Sequence, residues 1–212
     1  PGTKMEIQTD TISPKLMWVI KGGTGDFAKL RQTWSRPKFT RIRAKCPSCV
    51  TGDSASQPVL IFGGGYDTNQ DTGSSTTSIF SGTDTIGNAI YIVNPYTGAR
   101  IWWASSDTSA TLPLDKMNFS IPSELALTDS NGDGWTDRIY VGDTGGQLWR
   151  IDLGNQLDTN ANGGSAGFVF ADVGCGSAGT TVRIHDTSGN CSSGATNQVR
   201  RKFFFPPDVA QV

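Results

Sequence analysis

The sequence predicts an all-β fold built from four-stranded units stacked as in a β-propeller. Three observations predict it. The 212 residues include 26 glycines and six tryptophans among abundant Ser, Thr and Asn, a turn-rich and aromatic composition. Short apolar or alternating runs are bounded by Gly, Pro, Asn and Asp, and long amphipathic helices are hard to find. One strand-turn-strand unit is written twice: Tyr91-Ile92-Val93-Asn94-Pro95-Tyr96-Thr97-Gly98 leading into Ile101-Trp102-Trp103, and Tyr140-Val141-Gly142-Asp143-Thr144-Gly145-Gly146 leading into Leu148-Trp149-Arg150-Ile151. Gly98 and Gly146 correspond.

Taken in order, residues 15–21 read as a short strand closed by Gly22-Gly23, and 26–32 as a single helical turn. In residues 34–43, Phe39 and Ile42 punctuate polar neighbours as in a half-buried strand. The basic series Arg31, Arg36, Lys38, Arg41, Arg43 and Lys45 alternates with strand-like residues and is expected to form one solvated face. Pro58-Val59-Leu60-Ile61-Phe62 is a continuous apolar run suited to a buried strand, and Gly63-Gly64-Gly65 after it implies close backbone packing. Residues 89–93 and 100–103 form the first hairpin, 138–141 and 147–151 the second, with outer strands expected at 101–104 and 168–170.

A slower repeat accompanies the hairpins. Pro37, Pro122 and Pro207 stand at equal intervals, since 122 − 37 and 207 − 122 are both 85, and each opens an apolar segment. Proline is tolerated at the first residue of a strand. The whole chain, 1–212, therefore reads as a fragment of one β-propeller domain: a blade at 36–104, a second at 121–170, loop insertions at 68–87 and 154–200, and the start of a further blade at 203–212. Two four-stranded blades with flanking strands make a partial propeller, because a closed one has about 4–8.

A net charge of −1 and a pI near 5.8 point away from a nucleic-acid surface or polybasic membrane contact. No apolar run approaches the roughly 20 residues of a membrane span, and the chain opens at Pro1 without a signal peptide. Four cysteines allow three pairings. The expected disulfides are Cys46–Cys49 and Cys175–Cys191, the second bracketing a Gly/Ser/Thr-rich insertion, which implies an oxidising compartment.

The most informative stretch is Asp129-Ser130-Asn131-Gly132-Asp133-Gly134-Trp135-Thr136-Asp137. Oxygen side chains at positions 1, 3, 5 and 9 of a tight loop converge, and glycine at position 6 permits the sharp bend that a hard cation needs. The expected Ca²⁺ ligands are the side chains of Asp129, Asn131, Asp133 and Asp137 and the carbonyl of Trp135. An EF-hand would place Glu at position 12, where Tyr140 stands inside a strand-like run, so this is an EF-hand-like loop between strands. The competing reading is an Asp/Asn/Gly turn that binds nothing.

Other motifs carry less. Gly163-Gly164-Ser165-Ala166-Gly167 has the letters of a nucleophile elbow but no following helix, and His185, the only histidine, has no triad partners. Gly63-Gly64-Gly65 lacks the lysine and helix N-terminus of a phosphate cradle. Trp102, Trp103 and Trp149 are expected to pack in the core rather than stack on a cofactor. No catalytic constellation emerges, so the chain is expected not to be an enzyme.

Residues 32–37, 61–67, 91–98 and 129–153 occur in the order seen in the C-terminal propeller of the PilC/PilY family, type IV pilus tip-associated adhesins and biogenesis factors, and together resemble it. The resemblance implies a quinoprotein-like propeller with a calcium site at Asp129, Asn131, Asp133, Trp135 and Asp137. It further implies a place at the pilus tip or cell surface, outer-membrane-associated or periplasmic. Expected roles are in pilus biogenesis, with calcium shifting the balance of extension and retraction, in twitching motility and in adhesion. The implied partners are minor pilins or other pilus machinery, and a host or abiotic surface. Two alternatives are a pyrroloquinoline-quinone dehydrogenase, suggested by the tryptophan-bearing repeats, and an integrin-α-like adhesion propeller, whose blades carry similar calcium loops.

Overall fold

In a computed structural model, the described residues are 14–45, 54–71, 83–154, 165–173, 183–184 and 202–210. They form two sheets and almost no helix. β1 (Lys38–Lys45), β2 (Ser54–Gly63), β3 (Ala89–Val93), β4 (Arg100–Ser105) and β5 (Leu112–Pro113) follow one another across the first sheet. β6 (Ala126–Thr128), β7 (Arg138–Gly142), β8 (Gln147–Asp152), β9 (Ala166–Asp172) and β10 (Arg183–Ile184) do the same across the second. Neighbouring strands are antiparallel except β4 and β5, which run parallel. The chain is all-β, and the four antiparallel strands β1–β4 and β6–β9 are the two units expected from the repeat.

The sheets pack face to face over one core. Ile42, Val59, Ile61, Ile90, Ile92 and Trp102 from the first meet Ile139, Val141, Trp149, Ile151 and Val169 from the second. Trp102 and Trp149 are fully buried, so the tryptophans of the two repeats are core residues as expected. The Gly63-Gly64-Gly65 run sits where backbone approaches backbone: a Cβ on Gly63 would lie 2.5 Å from the Ile121 carbonyl oxygen, and one on Gly64 2.5 Å from that of Gly87.

The far face of the first sheet is also buried. Tyr91, Phe62 and Trp103 lie there beneath Ile20, Phe27 and Leu30, which explains why β3 is apolar at every position rather than alternating. The segment 15–21, expected as a strand, pairs with neither sheet. It runs across that face as a cover: the Trp18 indole N–H donates to the Pro95 carbonyl (3.0 Å) and its ring lies on Gly98. Its apolar residues record contact with a sheet face, which looks the same in sequence as membership of a sheet. The helical turn expected nearby is a single 3-10 turn, Gly25–Phe27.

Other expectations change in detail. The insertion placed at 154–200 contains β9 and β10, and the one at 68–87 opens with a 3-10 turn (Thr68–Asp71). Its last residues are packed: Asp84 is buried and accepts from the Gln70 side chain, the Ser120 N–H and the Thr144 hydroxyl. Residues 203–210, expected to begin a further blade, form no strand, although the Phe203 N–H donates to the Asp143 carbonyl (3.0 Å). The expected disulfides, His185 and Gly163-Gly164 lie outside the described residues. No described helix is long and apolar enough to cross a membrane.

Candidate functional site

The 129–137 loop joins β6 to β7, and its base is closed by the Asp137 N–H donating to the Thr128 carbonyl (2.9 Å). Its curl is produced by its own side chains. Asp129 Oδ1 accepts from the N–H groups of Gly132 (2.7 Å), Asp133 (3.2 Å) and Asn131 (3.3 Å), and Oδ2 from Gly134 (2.6 Å). Asn131 Oδ1 accepts from the Asp133 N–H, and Asp133 Oδ1 from the Trp135 N–H, both at 3.0 Å. Asp137 Oδ2 accepts from the Ser130 N–H (2.8 Å) and hydroxyl (2.7 Å). Gly132 and Gly134 have φ of +78° and +87°, values that side-chain-bearing residues rarely adopt.

These bonds favour the ionised forms of Asp129 and Asp133. The Gly134 amide, followed by those of Gly132, Asp133 and Asn131, keeps Asp129 below the usual carboxylate range, although partial desolvation opposes it. For Asp133 desolvation is the largest influence and raises the pKa, but the Trp135 N–H, Asn131 and Arg43 together outweigh it and hold the group low.

The loop also grips the first sheet. Arg43 on β1 places Nη2 2.5 Å from Asp133 Oδ2 and its guanidinium carbon 4.3 Å from the centre of the Trp135 ring. The Trp135 indole N–H donates to the Ser56 hydroxyl (2.9 Å), the Thr136 N–H to the Arg41 carbonyl (2.8 Å), and the Thr40 and Thr136 hydroxyls lie 2.7 Å apart. The basic series of residues 31–45 is therefore not one plain solvated face. Arg43 turns to the loop, and Arg36 and Lys38 pair with Glu124 at 3.0 and 2.7 Å. Beside the loop, a groove of about 550 Å³ is lined by residues from all three proline-led segments, among them Phe39, Leu125 and Val209.

All five expected ligand residues thus share one loop, and their donor atoms are oxygens, the chemistry that a hard cation takes. They are engaged mainly with loop amides, Ser130 and Arg43; among the described residues no three acidic, His or Cys side chains gather closely enough to hold a metal by themselves. The residues fit calcium by type, order and spacing, and the nested turns supply the bend.

Part of the chain is similar to a solved structure, the PilY1 C-terminal domain of Pseudomonas aeruginosa. That crystal structure matches 59% of this chain at 23% identity with a TM-score of 0.34. The match covers 19% of the PilY1 chain, so the two share a limited segment. No protein-family model and no curated protein matches the chain.

Sequence reasoning missed two residues that the structure brings forward. In sequence Arg43 is one of a basic series, and nothing in its neighbourhood signals a partner 90 positions later. Asp143 is one letter of the second repeat in sequence, yet it is fully buried and receives the Trp149 indole N–H (2.9 Å), the Gly145 and Gln147 backbone N–H groups (both 2.9 Å) and the Gln147 side-chain amide (2.9 Å). The tryptophan six residues after the aspartate was the available signal.

Proposed function

We propose that this chain is a calcium-binding, non-enzymatic part of a β-propeller in a type IV pilus-associated protein of the PilC/PilY kind. One observation carries the calcium part of the reading. A loop with oxygen donors at positions 1, 3, 5, 7 and 9 is curled by its own amides and anchored to both sheets. Asp129, Asn131, Asp133 and Asp137 would hold the ion with their side chains and Trp135 with its carbonyl. The bound cation would supply charge neutralisation where three carboxylates lie within nine residues.

The pilus assignment rests on the ordered motifs at 32–37, 61–67, 91–98 and 129–153. On this reading the protein acts outside the cytoplasm, at the cell surface or pilus tip. Its role there is in pilus biogenesis, twitching motility and adhesion, with minor pilins or other pilus machinery as partners. Burial of Trp102 and Trp149 between the sheets favours this over the quinone-dehydrogenase reading, because neither ring presents a face for a planar cofactor.

Calorimetric titration with Ca²⁺, before and after Asp137→Ala, tests the site. Saturable binding that is lost or weakened at least tenfold in the variant is expected. Equal heats in the two proteins would remove this loop from consideration.

A further inference from the structure

We propose that Arg43 is a built-in competitor for the cation of the 129–137 loop, setting its affinity and linking its occupancy to the first sheet. The proposal rests on the calcium reading above and identifies a residue outside the loop that tunes it.

Three features of Arg43 set it apart from an ordinary surface ion pair. Its guanidinium already supplies Asp133, an expected ligand, with a positive charge at hydrogen-bond distance. Its guanidinium carbon lies over the ring of Trp135, whose carbonyl is another expected ligand. Its buried Nε has no hydrogen-bond partner among the described residues, so the contact leaves one donor unsatisfied that release into water would hydrate. Arg43 is thus held where its charge satisfies the loop incompletely, a place from which a divalent ion can displace it.

The electrostatics give the direction. A doubly charged ion within several ångströms of a guanidinium is repelled even in water-like surroundings, sufficiently for about a tenfold loss of affinity. Arg43 also holds Asp133 Oδ2, an oxygen of an expected ligand for which the ion would compete. It belongs to β1, whose neighbours Arg41 and Thr40 bond to Thr136, so its displacement alters the attachment of the loop to the first sheet. Occupancy and inter-sheet contact are therefore linked through one side chain.

The test is Ca²⁺ titration of the full chain as wild type, Arg43→Gln, Arg43→Lys and Asp137→Ala. Arg43→Gln should bind about tenfold more tightly, Arg43→Lys close to wild type because the charge is kept, and Asp137→Ala more weakly. Equal or weaker binding in a folded Arg43→Gln would overturn the Arg43 proposal while leaving the calcium site intact. No binding in the wild type would overturn both. A measurement on the wild type keeps the idea testable if the variant fails to fold: saturating Ca²⁺ should speed exchange of the Arg43 guanidinium protons and of the Thr136 amide, and unchanged exchange at both also overturns it.

Discussion

The two central hairpins solve one problem in different ways. Both cross from one strand to the next through a turn containing a glycine at positive φ, Gly98 (+72°) and Gly146 (+87°), and both then bury a tryptophan opposite the preceding strand, Trp102 across from Ile92 and Trp149 across from Val141. In the first, the Asn94 side chain accepts from the nearby amides of Tyr96 (2.8 Å) and Thr97 (3.2 Å). In the second, Asp143 gathers four donors, one of them the Trp149 indole. The Trp102 indole N–H has no partner among the described residues. The first turn is a residue longer, closing Gly98 onto the Asn94 carbonyl where Gly146 closes onto Asp143, and a register shift follows at Ile92/Val93. A repeat can therefore preserve the path of the chain while one copy loses the polar link between turn and core. The first sheet is steadied instead by Trp18, which lies over Gly98.

The sharpest way to break this comparison is to remove the two turn residues. Asp143→Ala leaves four donors without their acceptor, two backbone amides and the side chains of Gln147 and Trp149. At roughly 1–3 kcal/mol for each unsatisfied buried group, the expected loss is at least about 4 kcal/mol. Asn94→Ala removes bonds only at an exposed turn and should cost about 1 kcal/mol or less. Urea unfolding of both variants measures the difference. Similar losses would show that the two turns do equivalent work.

A pH series comes next in size, because only one of the two turn residues titrates. Burial pushes the Asp143 carboxyl up to about 7, although the Trp149, Gln147 and Gly145 donors pull it down. The folded state therefore binds this proton more tightly than the unfolded chain. The resulting stability is fully present below about pH 4 and is lost as pH rises towards 7, on the order of a few kcal/mol. Asp129 has the opposite sign: its pKa is lowered, so its contribution is present above about pH 4 and disappears on further acidification. Comparing unfolding midpoints at pH 5 and pH 8 should show a fall in stability for the wild type that is reduced in Asp143→Asn. An unchanged slope would place the titrating group elsewhere.

The parts legible in the sequence were those fixed by local chemistry. The turn letters at 94–98 and 143–146 marked both hairpins, the runs at 58–62 and 89–93 marked buried strands, and the nine-residue acidic loop declared its own curl. What could not be read depends on which distant surfaces meet. Residues 15–21 have a strand's apolar content because they cover a sheet, and β5 and β10 are two residues each, too short to carry a period. Arg43 looked like its basic neighbours on β1, since the acid that distinguishes it arrives only when the second sheet docks. Of the polar core, only the spacing from Asp143 to Trp149 was visible along the chain.

The smallest expected effect is the most specific to the comparison. Trp149→Phe removes a donor from Asp143 and some apolar area, leaving Oδ2 with the Gln147 amide, and should destabilise by about 1–3 kcal/mol. Trp102→Phe removes comparable area but also an indole N–H that is buried without a partner. Relief of that unsatisfied donor offsets part of the packing loss, so this variant should be less damaging than its counterpart by on the order of 1 kcal/mol. If Trp102→Phe proved the more damaging of the two, the indole of the first hairpin would have an acceptor outside the described residues. The asymmetry between the repeats would then lie in the partner, not in its loss.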